Sequence, residues 1–314
     1  MDIVQGLLRS INSRPTILTI GAFDGVHVGH QHLIGTTVRR ARELGCQSAV
    51  ITFDPHPDTV IHPERDRLYL TSLDERMELI EALGADLLIV LPFTRELMGL
   101  PAHEFMQQIC DAVALRELWV GWDFALGRKR EGTLPRLREI GHELGYSVHP
   151  VDALARADGS PISSTRIRDA LRSGDVATAA RLLGRPFGVR GPVARGDQRG
   201  RTIGFPTANI QVGELHMLPA DGVYVCQALI DGQRYGAVTN VGLRPTFDGT
   251  RRTVEAYILD FVDDIYDEVV RIDLLHRLRG EQKFAGIAAL VAQINADVAA
   301  ARHWLKHDER AKAL

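Results

Sequence analysis

The first half of the chain alternates short apolar strands with helices, and this alternation constrains the fold more than any other feature. Three of the helices stop directly before a glycine, which ends helices without steric cost. The strands are apolar along their whole length, as is typical of strands covered on both faces. The pattern therefore predicts an α/β domain with a parallel sheet between helices. The predicted strands are about Thr16–Ile20, Ser48–Phe53, Asp86–Leu91, Leu118–Gly121 and Tyr146–Val151, with helices at about 30–44, 72–83, 102–114 and 134–144.

The second half has shorter strands and more frequent turns. Asp231-Gly232 separates two of these strands and is a strong hairpin signal. Together with a long closing helix, the strands predict a small antiparallel β-barrel. The change of pattern predicts two domains, at 1–184 and 185–314. The elements are two short helices at about 165–172 and 176–183, strands at about 224–230, 234–241, 253–260 and 268–274, and the closing helix at about 282–304.

Composition excludes several classes of protein. The net charge is −3, so no excess of positive charge drives binding to nucleic acid or to a membrane surface. Three scattered cysteines are too few for a disulfide framework and fit a reducing compartment. No apolar run reaches the roughly 20 residues that a membrane span needs. We expect a cytoplasmic protein without a nucleic-acid, membrane or obligate protein partner.

A glycine-rich stretch joins the first strand to the first helix. Gly21, Gly25 and Gly29 let the backbone approach a ligand closely, and the helix start offers free N–H groups to an anion. His27 and His30 are three residues apart, so both imidazoles can face one phosphate and stabilise the charge that develops there. Taken alone, the stretch could also be a glycine turn with two surface histidines.

Four ordered segments of the first half resemble the adenylyltransferase module of bacterial FAD synthetases, which are nucleotidyltransferases. The resemblance implies a Rossmann-like parallel-sheet domain that transfers an adenylyl group from ATP to FMN, giving FAD and pyrophosphate. The segments are Gly21-Ala22-Phe23-Asp24-Gly25-Val26-His27-Val28-Gly29-His30, Thr52-Phe53-Asp54-Pro55-His56-Pro57, Val120-Gly121-Trp122-Asp123-Phe124 and Ile162-Ser163-Ser164-Thr165-Arg166-Ile167-Arg168.

The same resemblance implies roles for individual residues. His27 and His30 are expected to contact the ATP phosphates in the transition state. Ser164, Thr165 and Arg168 are expected to bind nucleotide phosphates, since hydroxyl and guanidinium groups donate well to anions. In isolation, serine and threonine at a helix start would be an N-cap. The remaining expected nucleotide and flavin contacts are Gly21, Phe23, Asp24, Gly29 and Asp123.

A second glycine-rich stretch precedes Pro-Thr-Ala-Asn in the barrel half. On an extended chain the Thr207 hydroxyl and the Asn209 amide oxygen fall on one side. Such oxygen donors suit Mg²⁺, which keeps several waters and shares substrate phosphates. The preceding loop, with Gly196, Gly200 and Arg201, could cover those phosphates. In isolation the same residues are a turn that leads into a strand.

The second half resembles the riboflavin kinase module in the order and approximate spacing of its motifs. The resemblance implies that Thr207 and Asn209 hold Mg²⁺ with the nucleotide. It also implies that Glu255 takes the proton of the ribityl hydroxyl as that hydroxyl attacks the γ-phosphate, a general-base role. Alone, Glu255 would be an exposed strand acid. The motifs are Gly204-Phe205-Pro206-Thr207-Ala208-Asn209, Gly222-Val223-Tyr224, Asn240-Val241-Gly242-Leu243-Arg244-Pro245-Thr246-Phe247, Glu255 and Leu278-Arg279-Gly280-Glu281-Gln282-Lys283-Phe284.

The two resemblances together predict a bifunctional enzyme of flavin-cofactor synthesis. Its second half would phosphorylate riboflavin to FMN, and its first half would convert FMN to FAD, each with ATP and Mg²⁺. One alternative is a monofunctional enzyme with a decayed module, against which the intact motifs of both halves argue. Another is a flavin-sensing regulator, for which the charge balance supplies no nucleic-acid surface.

Overall fold

A computed structural model describes residues 1–7, 12–64, 68–152, 162–195, 199–246 and 249–307. The chain divides into two compact units, Met1–Ser164 and Thr165–Leu314. The division predicted at Gly184 concerns functional modules, and it stays a prediction.

A six-stranded parallel sheet forms the centre of the first unit. Its strands are β1 (Asp2–Gln5), β2 (Asn12–Ile20), β3 (Gln47–Phe53), β4 (Leu87–Leu91), β5 (Val113–Gly121) and β6 (Ser147–Val151). They follow the order β1-β4-β3-β2-β5-β6, and every pairing is parallel. The five predicted strands are therefore confirmed. Strand β1 escaped prediction because it has four residues, three of them exposed.

Helices cover both faces of this sheet, as predicted. Neighbouring residues of a strand point to opposite faces, so Ile51 packs with Phe105 of one helical layer, whereas Val50 packs with Ile34 and Ile80 of the other. The fifth helix ends before the predicted position because Val113 already pairs in β5. The helices are α1 (Val28–Glu43), α2 (Pro57–Ile61), α3 (Leu73–Ala82), α4 (Arg95–Gly99), α5 (Ala102–Ala112) and α6 (Leu134–Leu144).

The strand order reverses at β2. Strands β3 and β4 lie on one side of β2, and β5 and β6 lie on the other. Open α/β sheets bind ligands beyond the carboxyl ends of their strands, at such a reversal. The segments that begin there are the loop after Ile20 and the turn after Gly121. Both belong to the motifs singled out from the sequence.

A closed antiparallel barrel forms the second unit, which confirms the prediction of a barrel with a closing helix. Its strands are β7 (Phe187–Ala194), β8 (Ala208–Ile210), β9 (Gly222–Ile230), β10 (Gln233–Thr246), β11 (Gly249–Ile258) and β12 (Val269–Arg279), in the order β10-β11-β8-β7-β12-β9. The helices are α7 (Ser164–Ser173), α8 (Val176–Leu183), α9 (Arg199–Thr202) and α10 (Ile287–His307).

Strand β7 was not predicted, because two glycines and a proline interrupt its apolar pattern. Gly191 is required there by a close backbone crossing, since a Cβ at this position would lie 1.9 Å from the carbonyl oxygen of Gln211. Helix α8 packs against β7 and β12, with Leu182 and Leu183 buried. Residues just before Gly184 are therefore part of the compact barrel unit.

An ion pair fastens the closing helix to the barrel. Arg279, the last residue of β12, donates from Nε and Nη2 to both carboxylate oxygens of Asp297, at 2.7–3.1 Å. Asp297 is buried on α10, and the Gln293 amide donates to it at 2.8 Å. Removing one partner of a buried ion pair costs more than breaking an exposed pair, because the other charge is left buried without compensation.

Loss of this carboxylate should therefore loosen α10. We expect Asp297→Asn to lower the free energy of unfolding by about 2–3 kcal/mol, because it leaves a partly buried guanidinium without its counter-charge. The matched control is Asp260→Asn, which breaks the exposed Arg302–Asp260 pair and should have a much smaller effect, because solvent screens that pair. Thermal unfolding and hydrogen exchange of α10 measure the difference. Equal effects of both variants would contradict the assignment.

Candidate active sites

The glycine-rich stretch forms a tight loop between β2 and α1. Phe23 has a φ of 49° and is only 2% exposed. Its ring lies so close to Gly21 that a Cβ at position 21 would come within 2.8 Å of it. Any side chain at Gly21 would displace the ring, so glycine is required here by packing. The loop thus folds over one of its own side chains.

The two histidines of the loop stack on each other at the start of α1. His27 is the N-cap, and its Nδ1 accepts a hydrogen bond from the backbone N–H of His30 at 3.2 Å. The ring centroids are 3.5 Å apart. A Cβ at Gly29 would lie 3.2 Å from the His27 ring, so glycine leaves room for the stack. With Nδ1 as acceptor, His27 carries its ring proton on Nε2, which can donate to an anion.

His30 is neutral around pH 7. Burial lowers its pKa well below the usual 6.5, and the nearby His27, Arg76 and His56 lower the pKa further. The ring of Phe23 meets it edge-on at 5.2 Å. Its Nδ1 has no hydrogen-bond partner among the described residues. A neutral imidazole donates one N–H and can gain a second when a phosphate stabilises its charged form.

Asp24 binds the glycine-rich loop to a distant segment of the chain through hydrogen bonds. It is 1% exposed, and its Oδ1 accepts hydrogen bonds from the backbone N–H groups of Leu70 at 2.9 Å and Thr71 at 3.2 Å. The Thr71 hydroxyl in turn accepts from the N–H of Gly25 at 3.0 Å. This geometry favours a supporting role for Asp24, and its direct contact with a nucleotide stays a prediction.

Arg76 also contacts this loop, through the carbonyl of Ala22. It was not predicted from the sequence as a site residue. It is 1% exposed, and its Nη1 donates to the carbonyls of Phe53 at 2.8 Å and Ala22 at 3.0 Å. The hydroxyl of Thr52 is a third acceptor at 3.1 Å. A signal was present, because Arg76 precedes the buried Ile80 by one helical turn and so lies on the apolar face of α3.

Ser164 is brought to the loop from far along the chain. Its hydroxyl donates to the backbone carbonyl of Asp24 at 3.0 Å, where α7 begins. Thr165 and Arg168 follow in the same helix, and Arg168 is 5% exposed. Asp123 lies exposed in the turn after β5, with its side chain open to a ligand. Contacts of Ser164, Thr165, Arg168 and Asp123 with a nucleotide or flavin stay predictions.

The barrel has its own cavity, of about 310 Å³, and Thr207 and Asn209 both line it. The buried Ala208 separates them, so their side chains lie on one side of the extended chain, as predicted. Gly200 also lines the cavity, and a Cβ there would lie 2.3 Å from the carbonyl of Phe205 and 3.4 Å from the Thr207 hydroxyl. The glycine-rich segment therefore lies directly against the Pro-Thr-Ala-Asn motif.

Glu255 lies in a row of polar residues across three strands. It pairs directly with Asn209 of β8 on one side and with Asn240 of β10 on the other. Side chains of directly paired residues share a face, about 5 Å apart. Asn240 belonged to a matched motif but was not predicted as a site residue, because the sequence does not show which strands are neighbours. Two other predicted contacts are not described, namely Gly196 and the side chain of Arg201.

Comparisons with known proteins agree with this division of sites. The profile of the FAD synthetase family matches residues 10–166, and that of the riboflavin kinase family matches residues 183–305. The bifunctional riboflavin kinase/FMN adenylyltransferase of Pseudomonas fluorescens is 40% identical, covering 96% of this chain and 97% of its own. The Bacillus subtilis protein of the same description is 37% identical, with 90% of each chain covered.

A solved structure matches over the whole length. It is described as a macrolide-efflux protein from Streptococcus pneumoniae and has a TM-score of 0.88 at 34% identity, covering 97% of this chain and 100% of that one. The match shows that the two chains share a fold. Within the described part of this chain, none of the helices is both long and apolar enough to cross a membrane.

Both matched families transfer a phosphorus-containing group from ATP, so the chain is a transferase with two active domains. It belongs to the bifunctional riboflavin kinase/FMN adenylyltransferase family. The C-terminal domain phosphorylates riboflavin to FMN, and the N-terminal domain adenylylates FMN to FAD. ATP is the co-substrate of both reactions. The function predicted from the sequence is confirmed.

The lowered pKa of His30 makes the first unit sensitive to acid. The unfolded chain binds a proton more readily than the folded one below about pH 6.5, so stability decreases as the pH falls, by up to about 1.4 kcal/mol per pH unit. We expect the melting temperature of His30→Gln to decrease less between pH 7 and pH 5 than that of the native protein. His142→Gln, at an exposed position of α6, should follow the native profile. Identical slopes for both variants would rule out this role of His30.

Proposed function

We propose that adenylyl transfer takes place on the loop from Gly21 to His30, with His27 and His30 as the catalytic donors. The observation that carries this assignment is the stacked histidine pair at the start of α1, where the sheet order reverses. Helix N-termini and reversal points both favour phosphate binding.

The proposed reaction needs donors to phosphate rather than a redox or covalent centre. A phosphate oxygen of FMN attacks the α-phosphorus of ATP, and the bond to the leaving pyrophosphate breaks. Negative charge increases on the phosphate oxygens during this displacement. The Nε2–H of His27 and the ring of His30 stabilise that charge. Thr165 and Arg168 bind nucleotide phosphates, and Asp123 contacts nucleotide or flavin.

For riboflavin phosphorylation we propose that Glu255 is the general base. It accepts the proton of the ribityl hydroxyl, whose oxygen forms a bond to the γ-phosphorus of ATP as the bond to ADP breaks. The direct pairing of Glu255 with Asn209, which lines the cavity, supports this role. Positioning and charge neutralisation contribute more to such a reaction than the base does.

Thr207 and Asn209 are the proposed Mg²⁺ ligands. A hydroxyl and an amide oxygen on one side of the chain are hard donors without charge, which fits an ion that also binds waters and substrate phosphates. When bound, Mg²⁺ neutralises charge on the phosphates. Gly200 and the segment around it, including Gly196 and Arg201, are proposed to cover the phosphates. A cytoplasmic location and the absence of nucleic-acid and protein partners stay predictions.

The two chemistries should fail independently under mutation. We expect His30→Ala to slow FAD formation from FMN by about 10²–10³-fold, because it removes a donor to developing phosphate charge. Glu255→Ala should slow FMN formation from riboflavin by about 10²-fold or more. Each variant should keep the other activity near the native level. Chromatography of flavins, started separately from riboflavin and from FMN, gives both rates.

Each variant is the matched control of the other, because both are single alanines in one polypeptide. If His30→Ala abolished FMN formation while FAD formation survived, the two chemistries would be assigned to the wrong halves.

The barrel unit should be active alone. We expect a fragment of residues 165–314 to fold and to phosphorylate riboflavin, since it contains the cavity, Glu255 and the closing helix. A fragment of residues 185–314 should be less stable, because it lacks α8 and exposes the barrel surface that Leu182 and Leu183 cover. Circular dichroism and FMN yield test both fragments. A folded 165–314 fragment without kinase activity would show that the kinase site needs residues of the first unit.

A further inference from the structure

We propose that Arg76 is a positioning residue for adenylyl transfer, which holds the histidine loop in place and sets a permanent positive charge beneath it. The proposal rests on the assignment of that reaction to the loop. Arg76 does not contact the reacting atoms in this scheme. It acts through the loop backbone and through the electric field at the histidine pair.

The first observation is that one nitrogen of Arg76 donates to three acceptors from two neighbouring segments. Nη1 of Arg76 donates to the carbonyls of Ala22 and Phe53 and to the hydroxyl of Thr52. The Thr52 hydroxyl itself donates to the Ala22 carbonyl at 3.1 Å. Ala22 follows β2, and Thr52 and Phe53 end the neighbouring strand β3. A single guanidinium therefore ties together the carboxyl ends of two strands at which the proposed ATP site begins.

The second observation is that this buried charge forms no hydrogen bond with a carboxylate among the described residues, although burial lowers the pKa of Arg76 and the nearby Asp24 and Asp54 raise it. The nearest carboxylate contact of Arg76 among the described residues is Asp54, at 3.9 Å and on a side chain that is 45% exposed. The Arg76 Nε is buried without a hydrogen-bond partner in the same part of the chain. Burying a charge without a close partner is costly. A neutral donor could bind the same three acceptors, so the retained charge points to an electrostatic role toward an anionic substrate.

The third observation concerns His30. The titratable or charged groups that face it are His27 from the N-cap of α1, His56 from the N-cap of α2 and Arg76 from α3. Arginine keeps its charge throughout the physiological range. Burial is the main cause of the lowered His30 pKa, and the charge of Arg76 adds a constant contribution in the same direction.

The test uses full-length protein and four variants. Arg76→Met removes the charge and the donors, and Arg76→Lys keeps the charge. Thr52→Val removes one acceptor without changing charge. Arg40→Met is the matched control, because Arg40 lies in the last turn of α1, at the opposite end of that helix from His27 and His30, and pairs with Glu117.

Four quantities are measured for each variant. They are kcat and KM for FAD formation from FMN, the rate of FMN formation from riboflavin, the His30 pKa by NMR of histidine-labelled protein, and the melting temperature. Riboflavin phosphorylation in the same polypeptide is the internal control. A merely structural arginine would change the melting temperature without moving the His30 pKa.

We expect Arg76→Met to lower kcat for FAD formation about 10–100-fold, with FMN formation within twofold of native. The His30 pKa should increase measurably but stay below its usual value, because burial and His27 still lower it. Arg76→Lys should keep the lowered pKa and recover most of kcat. Thr52→Val should lower kcat only a few-fold without moving the pKa. Arg40→Met should change neither quantity.

The proposal is overturned if folded Arg76→Met forms FAD within twofold of the native rate, or if its His30 pKa is unchanged. If Arg76→Met does not fold, Arg76→Lys decides, and a folded lysine variant with a normal His30 pKa overturns the proposal. Failure of the underlying site is distinguishable. If the loop were not the site of adenylyl transfer, both His30→Ala and Arg76→Met would leave FAD formation intact. If only the role of Arg76 were wrong, Arg76→Met would leave it intact and His30→Ala would not.

Discussion

The carboxylate of Asp24, which accepts two backbone N–H groups from the segment before α3, is the interaction on which the first site depends. The loop after β2 contains residues with positive φ, including Phe23 and Val26, and such conformations are unfavourable without external support. Asp24 binds the loop to Leu70 and Thr71. With the loop held in this way, α1 begins where its first N–H groups and both imidazoles converge.

The second site depends on strand pairing instead of a buried side chain. Asn209 and Glu255 are far apart in sequence and become neighbours because β8 and β11 pair in a fixed register. Shifting that register by one residue would send every side chain of the strand to the opposite face. The close crossing at Gly191 leaves no room for a side chain where β7 passes the residue after β8. The position of the proposed base is thus a property of the whole barrel.

Most of the fold could be predicted because its strands and helices differ strongly in period. Elements that escaped were short or contained residues that usually break strands, as in β1 and β7. Motif order also identified the chemistry of each half. The contacts that hold site residues in place from distant segments of the chain could not be predicted. The sequence shows Arg76 only as a polar residue on an apolar helix face, and it does not show that Thr52 and Ala22 lie within its reach. Neither does it show that Asn240 lies beside Glu255, since this requires the strand order.

If ATP binds at the histidine pair as proposed, the lowered pKa of His30 couples nucleotide binding to solvent protons. Beside the phosphates of ATP, the charged form of His30 becomes more favourable, as it does for any imidazole near an anion. In the proposed arrangement, ATP binding to the first unit is accompanied by proton uptake, and the release of pyrophosphate returns the proton. The affinity for ATP then increases as the medium becomes more acidic, whereas the stability of the empty unit decreases. Acidity therefore acts in opposite directions on the ligand-free and nucleotide-bound forms of the same domain.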